Sequence, residues 1–220
     1  MNPRPLRAAF MQALNEAWAG GAGAILPSAF FAGAAFLLPM TLGTDTAKLA
    51  EVACGVLWVA LALASLVTME RLFQADLEDG ALDLWLASET MMSQIALTKT
   101  LAHWIVSGLP LVLLSPVLAI ILGVPPDQAP RAMVAFGLGG LSFFLWGGFG
   151  ASLAAGVRRG GLLIALIALP FFIPTAIFGA LALASPISTP PEALLLAAST
   201  LFALAIAPFG MGAALRMSAN

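Results

Sequence analysis

ERLFQADLEDGALDLW, residues 70–85, determines how the rest of the chain is organised. It carries five of the eleven acidic residues in the protein: Glu70, Asp76, Glu78, Asp79 and Asp83. Hydrophobic runs without Asp, Glu, Lys or Arg precede and follow it, over 52–69 and 100–124. Charged side chains lose their hydration in lipid. The stretch therefore has to lie on one face of a membrane, between two spans.

The composition is that of a multi-pass membrane protein. Hydrophobic residues make up 61% of the 220 residues, charged residues only 9%, and the mean hydropathy is +1.01. These values lie outside the range of soluble globular domains. A net charge of −2 without a basic run gives no indication of a nucleic-acid partner. The one cysteine, Cys54, excludes an internal disulfide and a cysteine-rich metal site.

Six apolar stretches are long enough to cross about 30 Å of hydrocarbon. They are residues 24–42, 52–69, 100–123, 132–157, 160–184 and 193–215. They nearly use up the chain, so we expect a single all-α transmembrane domain, 1–220, in which the second helix continues beyond the membrane into 70–79. Residues 4–19 show an apolar stripe at helical spacing. They form either an amphipathic helix in the membrane interface or an ordinary N-terminal tail.

The basic residues predict the orientation. With a cytoplasmic N-terminus, seven basic residues lie inside: Arg4, Arg7, Arg71, Lys99, Arg158, Arg159 and Arg216. Only Lys48 and Arg131 then lie outside. This distribution fits the positive-inside bias, which gives little weight to acids. Both termini and the loop 70–99 are therefore predicted to be cytoplasmic.

Sequence motifs for catalysis are missing. The chain has no HExxH, no GxSxG and no GxxxxGK[ST] phosphate loop. We expect no catalytic residues, no metal site and no ATP hydrolysis by this chain alone. His103, its one histidine, is a candidate functional residue because it is ionisable and lies in the third span. It could ligate a haem iron or move a proton, but its place beside Trp104 near the interface favours an anchoring role.

The acidic loop contains a predicted break at Asp79-Gly80, where glycine ends the helix that leaves span two. Residues 81–86 then form a second short helix with Leu82, Leu84 and Trp85 among the acids. Exposed leucines and a tryptophan edged by charge suit a docking surface for a protein partner. Alternatively, these apolar residues rest on the membrane surface.

Several long motifs resemble one family. Besides residues 70–85 they are AHWIVSGLPLVLLSPVLAIILG (102–123), RRGGLLIALIALPFFIPTAIFG (158–179) and APFGMGAALRMS (207–218). In this order they closely resemble the heme exporter protein B family, CcmB, from about residue 52 to the C-terminus. The resemblance implies an ABC-2-like domain of six helices with an N-terminal interfacial helix, in the bacterial inner membrane. It also implies a membrane subunit of an ABC-type complex in cytochrome c maturation.

The resemblance further implies that a separate cytoplasmic ATPase, CcmA, binds ATP and docks on the acidic loop. The residues expected to couple the two subunits are Glu70, Arg71, Phe73, Asp76, Asp79, Gly80, Leu82 and Asp83. CcmC, CcmD and the periplasmic haem chaperone CcmE are the other implied partners. Haem would be the transported group, and no residue here is assigned as its ligand. The alternatives are an ABC permease for a lipid, drug or small thiol, and a structural scaffold of the haem-loading complex.

Overall fold

The computed structural model describes residues 3–19, 23–43, 45–157, 160–185, 187 and 190–218. Arg158 and Arg159, which contribute to the predicted orientation, lie outside these residues. The described chain forms ten α-helices: α1 (Pro3–Ala19), α2 (Ile25–Leu42), α3 (Thr46–Leu66), α4 (Arg71–Glu78), α5 (Ala81–Leu86), α6 (Met92–His103), α7 (Leu109–Ile121), α8 (Ala129–Leu153), α9 (Gly161–Ala184) and α10 (Pro191–Ser218). It contains no β-strand.

Six segments of the described chain are long and apolar enough to cross a membrane. They are α2, α3 with α4, α6 with α7, α8 with the short turn before it, α9, and α10. The predicted fold class, an all-α membrane protein with six transmembrane helices, is thus confirmed. α6 and α7 form one long segment because a single π-helical turn, Trp104–Gly108, joins them without a break.

Two turns shape the acidic loop. The helix of span two was predicted to continue into residues 70–79, but α3 ends at Leu66 and a turn over 67–70 separates it from α4. The amide of Met69 in this turn and that of Leu72, just after it, bond to carbonyls three residues back, at 3.2 and 3.1 Å, so the chain is wound more tightly here than in an α-helix. The break at Gly80 is confirmed, since its φ of 72° is a left-handed conformation that glycine adopts without strain. α5 then begins at Ala81.

α8 forms the centre of the bundle and packs against α3, α7, α9 and α10. Its glycines allow close approach of the neighbouring helices. Trp58 of α3 stacks on Phe136 with ring centroids 4.7 Å apart. The Trp58 indole also fills space that a Cβ on Gly139 or on Gly179 of α9 would occupy. Small residues at helix contacts are the usual means of packing helices within lipid.

The end of the bundle that carries α4 and α5 is called the loop end here. α1 packs there against α6, burying Ala9, Ala13 and Ala17. Trp18, on the predicted apolar stripe, remains 74% exposed. Gln74 of α4 accepts a hydrogen bond from the Gly156 amide, 3.2 Å away, which attaches α4 to the turn after α8. α1, α4 and α6 therefore meet at one end of the molecule.

Candidate functional site in the acidic loop

The predicted coupling residues divide into an exposed and a buried set. Glu70, Arg71, Asp79 and Asp83 are exposed. Phe73, Asp76 and Leu82 are buried, and Gly80 forms the turn between α4 and α5. The two sets must have different roles. A partner protein can contact the exposed side chains directly, whereas it can affect the buried ones only by moving the helices that carry them.

The division follows from the helical period of α4. Leu72, Phe73 and Asp76 recur at a spacing of three to four residues, so they share the face that packs on the bundle. Glu78 and Asp79 leave this face and are exposed. In α5 the same rule buries Leu82 and leaves Leu84 74% exposed. The outer surface of the loop thus presents acids with an apolar side chain among them.

Asp76, although charged, is buried because it binds a buried lysine. Lys99 of α6 places its ammonium 2.5 Å from both carboxylate oxygens of Asp76, and the two side chains are only 1% and 2% exposed. Glu16 of α1 contributes a second carboxylate, 3.2 Å from the same ammonium. Gln12 donates to Glu16 at 2.6 Å and to Asp76 at 3.2 Å. We call Gln12, Glu16, Asp76 and Lys99 the Lys99 cluster.

The Lys99 cluster connects α1, α4 and α6, because carboxylates from α1 and α4 both bind the ammonium of Lys99 on α6. A buried ammonium is destabilising unless carboxylates and hydrogen bonds replace its water. Here the replacements come from α1 and α4, while the lysine belongs to α6, the beginning of span three. Moving α4 away from α6 would separate Asp76 from Lys99 and leave Glu16, which is more exposed, as the only carboxylate beside the ammonium. The three helices are therefore expected to move together.

His103 lies one turn beyond Lys99 on the same helix and is buried. Its Nε2 is 2.9 Å from the hydroxyl of Thr68, in the turn between α3 and α4. Its ring centroid lies 5.9 Å from that of Phe144 on α8. Within the described ranges, no group of three or more His, Cys, Asp or Glu residues is placed to hold a metal ion. His103 thus links span three to the α3–α4 turn, beside the Lys99 cluster.

The family profile described as CcmB protein matches residues 6–218, nearly the whole chain. The chain belongs to the CcmB family. A relative from Paracoccus denitrificans, named Heme exporter protein B, is 39% identical over 216 residues, covering 97% of this chain and 99% of its own. Proteins of the same name from Pseudomonas aeruginosa and Escherichia coli K12 are 40% and 35% identical over 195 residues each. These matches cover 87% of this chain and 87% and 89% of the relatives.

Sequence reasoning about this CcmB chain missed most of the Lys99 cluster. Asp76 was predicted as a coupling residue, but Lys99 served only to predict orientation, and neither Gln12 nor Glu16 was predicted to be functional. One signal was available. Glu16 and Lys99 are charged residues with no other charge nearby in the sequence, and charged side chains are seldom fully buried unless they are paired. The sequence did not reveal which would pair.

Proposed function

We propose that this chain is the membrane subunit of an ABC-type complex in cytochrome c biogenesis. ATP hydrolysis on a separate CcmA-type ATPase would drive delivery of haem to, or release of, a periplasmic haem chaperone of the CcmE type, with CcmC and CcmD as further membrane partners. The relatives' name, Heme exporter protein B, supports haem as the cargo. The chain would lie in the bacterial inner membrane, and the Lys and Arg distribution supports an orientation with both termini in the cytoplasm.

The proposal rests on the division of the acidic loop into exposed residues on its outer surface and buried residues that pack on the bundle. Asp79 and Asp83 are exposed around the Gly80 turn and form the surface that an ATPase subunit would contact. Asp76, on the opposite face of the same loop, is held by Lys99 at the start of span three. A push on the outer surface would therefore reach span three through a buried ion pair rather than through a flexible linker. Phe73 and Leu82 stabilise the loop as a rigid body by packing inward.

The experiment is co-purification of this chain with a CcmA-type ATPase, in the wild type and in Asp79→Lys, with ATPase activity measured on the same samples. We expect the reversed charge to weaken association and to abolish stimulation, because Asp79 is exposed and its change leaves the fold intact. Glu51→Lys is the matched control, since Glu51 is also exposed but lies near the start of α3, at the opposite end of the bundle. Membrane insertion should be normal in all three.

Unchanged association and stimulation in Asp79→Lys would overturn the coupling role of the loop and favour a structural scaffold. Retained coupling to the ATPase, together with normal cytochrome c maturation in a deletion strain, would instead favour a permease for another substrate. Loss of maturation in the deletion strain, restored by wild type and not by Asp79→Lys, is the result expected here.

A further inference from the structure

A cavity of about 520 Å³ lies at the loop end, between α1, the start of α2, the α3–α4 turn and α6. This volume lies within the range of small-ligand sites, about 300–1,000 Å³. One part of its lining is apolar, with Ala17, Leu26 and Val67. Leu26 and Val67 are 49% and 38% exposed, so this wall continues into the apolar outer surface of the bundle. The cavity is thus accessible to an amphiphile from the membrane.

The other part of the lining is polar and carries both signs of charge. Lys99, His103 and Thr68 are paired as described above. Arg71 and the neighbouring acid Glu70 also line the cavity and are exposed, and Arg71 makes no ion pair within the described residues. Glu16 faces the same space with its side chain 32% exposed, so its carboxylate can accept further hydrogen bonds beside those from Gln12 and Lys99. An available guanidinium and the carboxylates of Glu16 and Glu70 therefore share one cavity.

We infer that this cavity binds the headgroup of a phospholipid with a primary amine, a phosphatidylethanolamine. The phosphate would bind Arg71, whose planar guanidinium suits phosphate oxygens. The ammonium would donate hydrogen bonds to Glu16, and the glycerol and first acyl carbons would lie along Leu26 and Val67. The ligand's two charges then each meet the opposite charge, in a cavity lined by two acidic and two basic residues, Glu16, Glu70, Arg71 and Lys99.

Other headgroups fit less well for physical reasons. The headgroup of phosphatidylglycerol has no cation, so it would bind Arg71 and leave the negative charge of Glu16 beside its phosphate. The quaternary ammonium of phosphatidylcholine has no N–H and cannot hydrogen-bond to Glu16. A basic cluster would favour anionic lipids, but the two basic residues that line this cavity are balanced by the carboxylates of Glu16 and Glu70. The inference gives Arg71 a lipid contact in place of the ATPase contact expected from sequence, and it is independent of the proposed coupling.

The test is native mass spectrometry of the purified full-length chain in detergent, titrated with phosphatidylethanolamine, phosphatidylcholine or phosphatidylglycerol of identical acyl chains. We expect one phosphatidylethanolamine to bind about tenfold more tightly than the other two lipids, the effect of one charge-assisted hydrogen bond. Arg71→Gln should weaken this binding about tenfold. Glu16→Gln should weaken the preference for ethanolamine over choline, because the glutamine oxygen accepts a hydrogen bond without the negative charge. Lys48→Gln, an exposed basic residue at the opposite end of the bundle, is the control and should change neither.

Equal binding of the three lipids together with no effect of Arg71→Gln would mean that only non-specific lipid contacts exist, and it would overturn the inference. Soluble glycerophosphoethanolamine separates a lipid site from a site for the free headgroup. If it binds as tightly as the lipid, the apolar wall contributes nothing and the assignment to a membrane lipid is wrong. Arg71 is exposed, so its variant should fold even if Glu16→Gln does not.

Discussion

Asp76→Asn tests the buried ion pair between Asp76 and Lys99. The substitution keeps the size of the side chain and removes its charge, so Lys99, which is 1% exposed, loses both bonds of 2.5 Å to a carboxylate. Breaking a buried ion pair by removing one partner costs about 3–5 kcal/mol. Glu16 remains 3.2 Å from the ammonium and is itself 32% exposed, so we expect the lower value, about 3 kcal/mol. For a chain of this length that is a fall in Tm of about 6–12 °C.

The measurement is thermal unfolding of the purified chain in detergent, with Asp45→Asn as the matched control. Asp45 pairs with Lys48 at 3.5 Å, but these side chains are 49% and 71% exposed. Such a surface pair contributes about 0–1 kcal/mol, and asparagine caps the start of α3 as well as aspartate does. The control should therefore unfold close to the wild-type temperature.

A double variant separates the charge from the packing. Lys99→Met combined with Asp76→Leu removes both buried charges and fills the space with apolar side chains, a change that is often neutral or stabilising. We expect it to recover most of the stability that Asp76→Asn loses. A wild-type Tm for Asp76→Asn, or a double variant no more stable than the single one, would refute the view that the Lys99 cluster is a buried and mutually compensated group.

Substitutions of two glycines and one threonine are predicted to lower the stability of the fold, and each is measured by thermal unfolding in detergent. Gly80→Ala should destabilise by about 1 kcal/mol because φ is 72° there, although no described atom beyond the adjacent residues lies within 4 Å of the new methyl group. Gly179→Ala should cost about 1–3 kcal/mol or prevent assembly, since its Cβ would overlap the Trp58 indole. Gly33→Ala, with helical backbone and open space, is the control for both and should not destabilise. Thr175→Val removes a hydroxyl that bonds to α8 and α10 at 2.9 and 3.2 Å, and should cost about 0.6–1.7 kcal/mol.

The local features of the fold could be predicted because they depend on short stretches of sequence. Six apolar runs predicted six helices, and Asp79-Gly80 predicted a break that the φ of Gly80 confirms. The turn over 67–70 was not predicted, since Leu66, Val67 and Met69 are as apolar as the helix before them. Neither was the π-helical turn before Leu109. Its extra residue changes the helical register without changing hydropathy, so the composition carries no signal for it.

The candidate site could be predicted only in part, because its contacts are distant in the sequence. Glu16 and Lys99 are 83 residues apart, and Asp76 and Lys99 are 23 apart. Hydropathy places each of these residues near a membrane face, and nothing in the sequence indicates that α1 lies against α6. The same argument applies to the cavity, whose lining comes from four separate parts of the chain.

The burial of Asp76 changes how the acidic loop should be understood. A loop whose charges all faced solvent could bind a partner and still move independently of the spans. Here the loop has an acidic outer surface, and its one buried acid is bound to Lys99 at the start of span three. Glu16 holds the same lysine from α1, so displacement of the loop would stress both the N-terminal helix and span three. Because Lys99 is buried, this link is little screened by salt, and high ionic strength should weaken contacts at Asp79 before it weakens the link at Asp76.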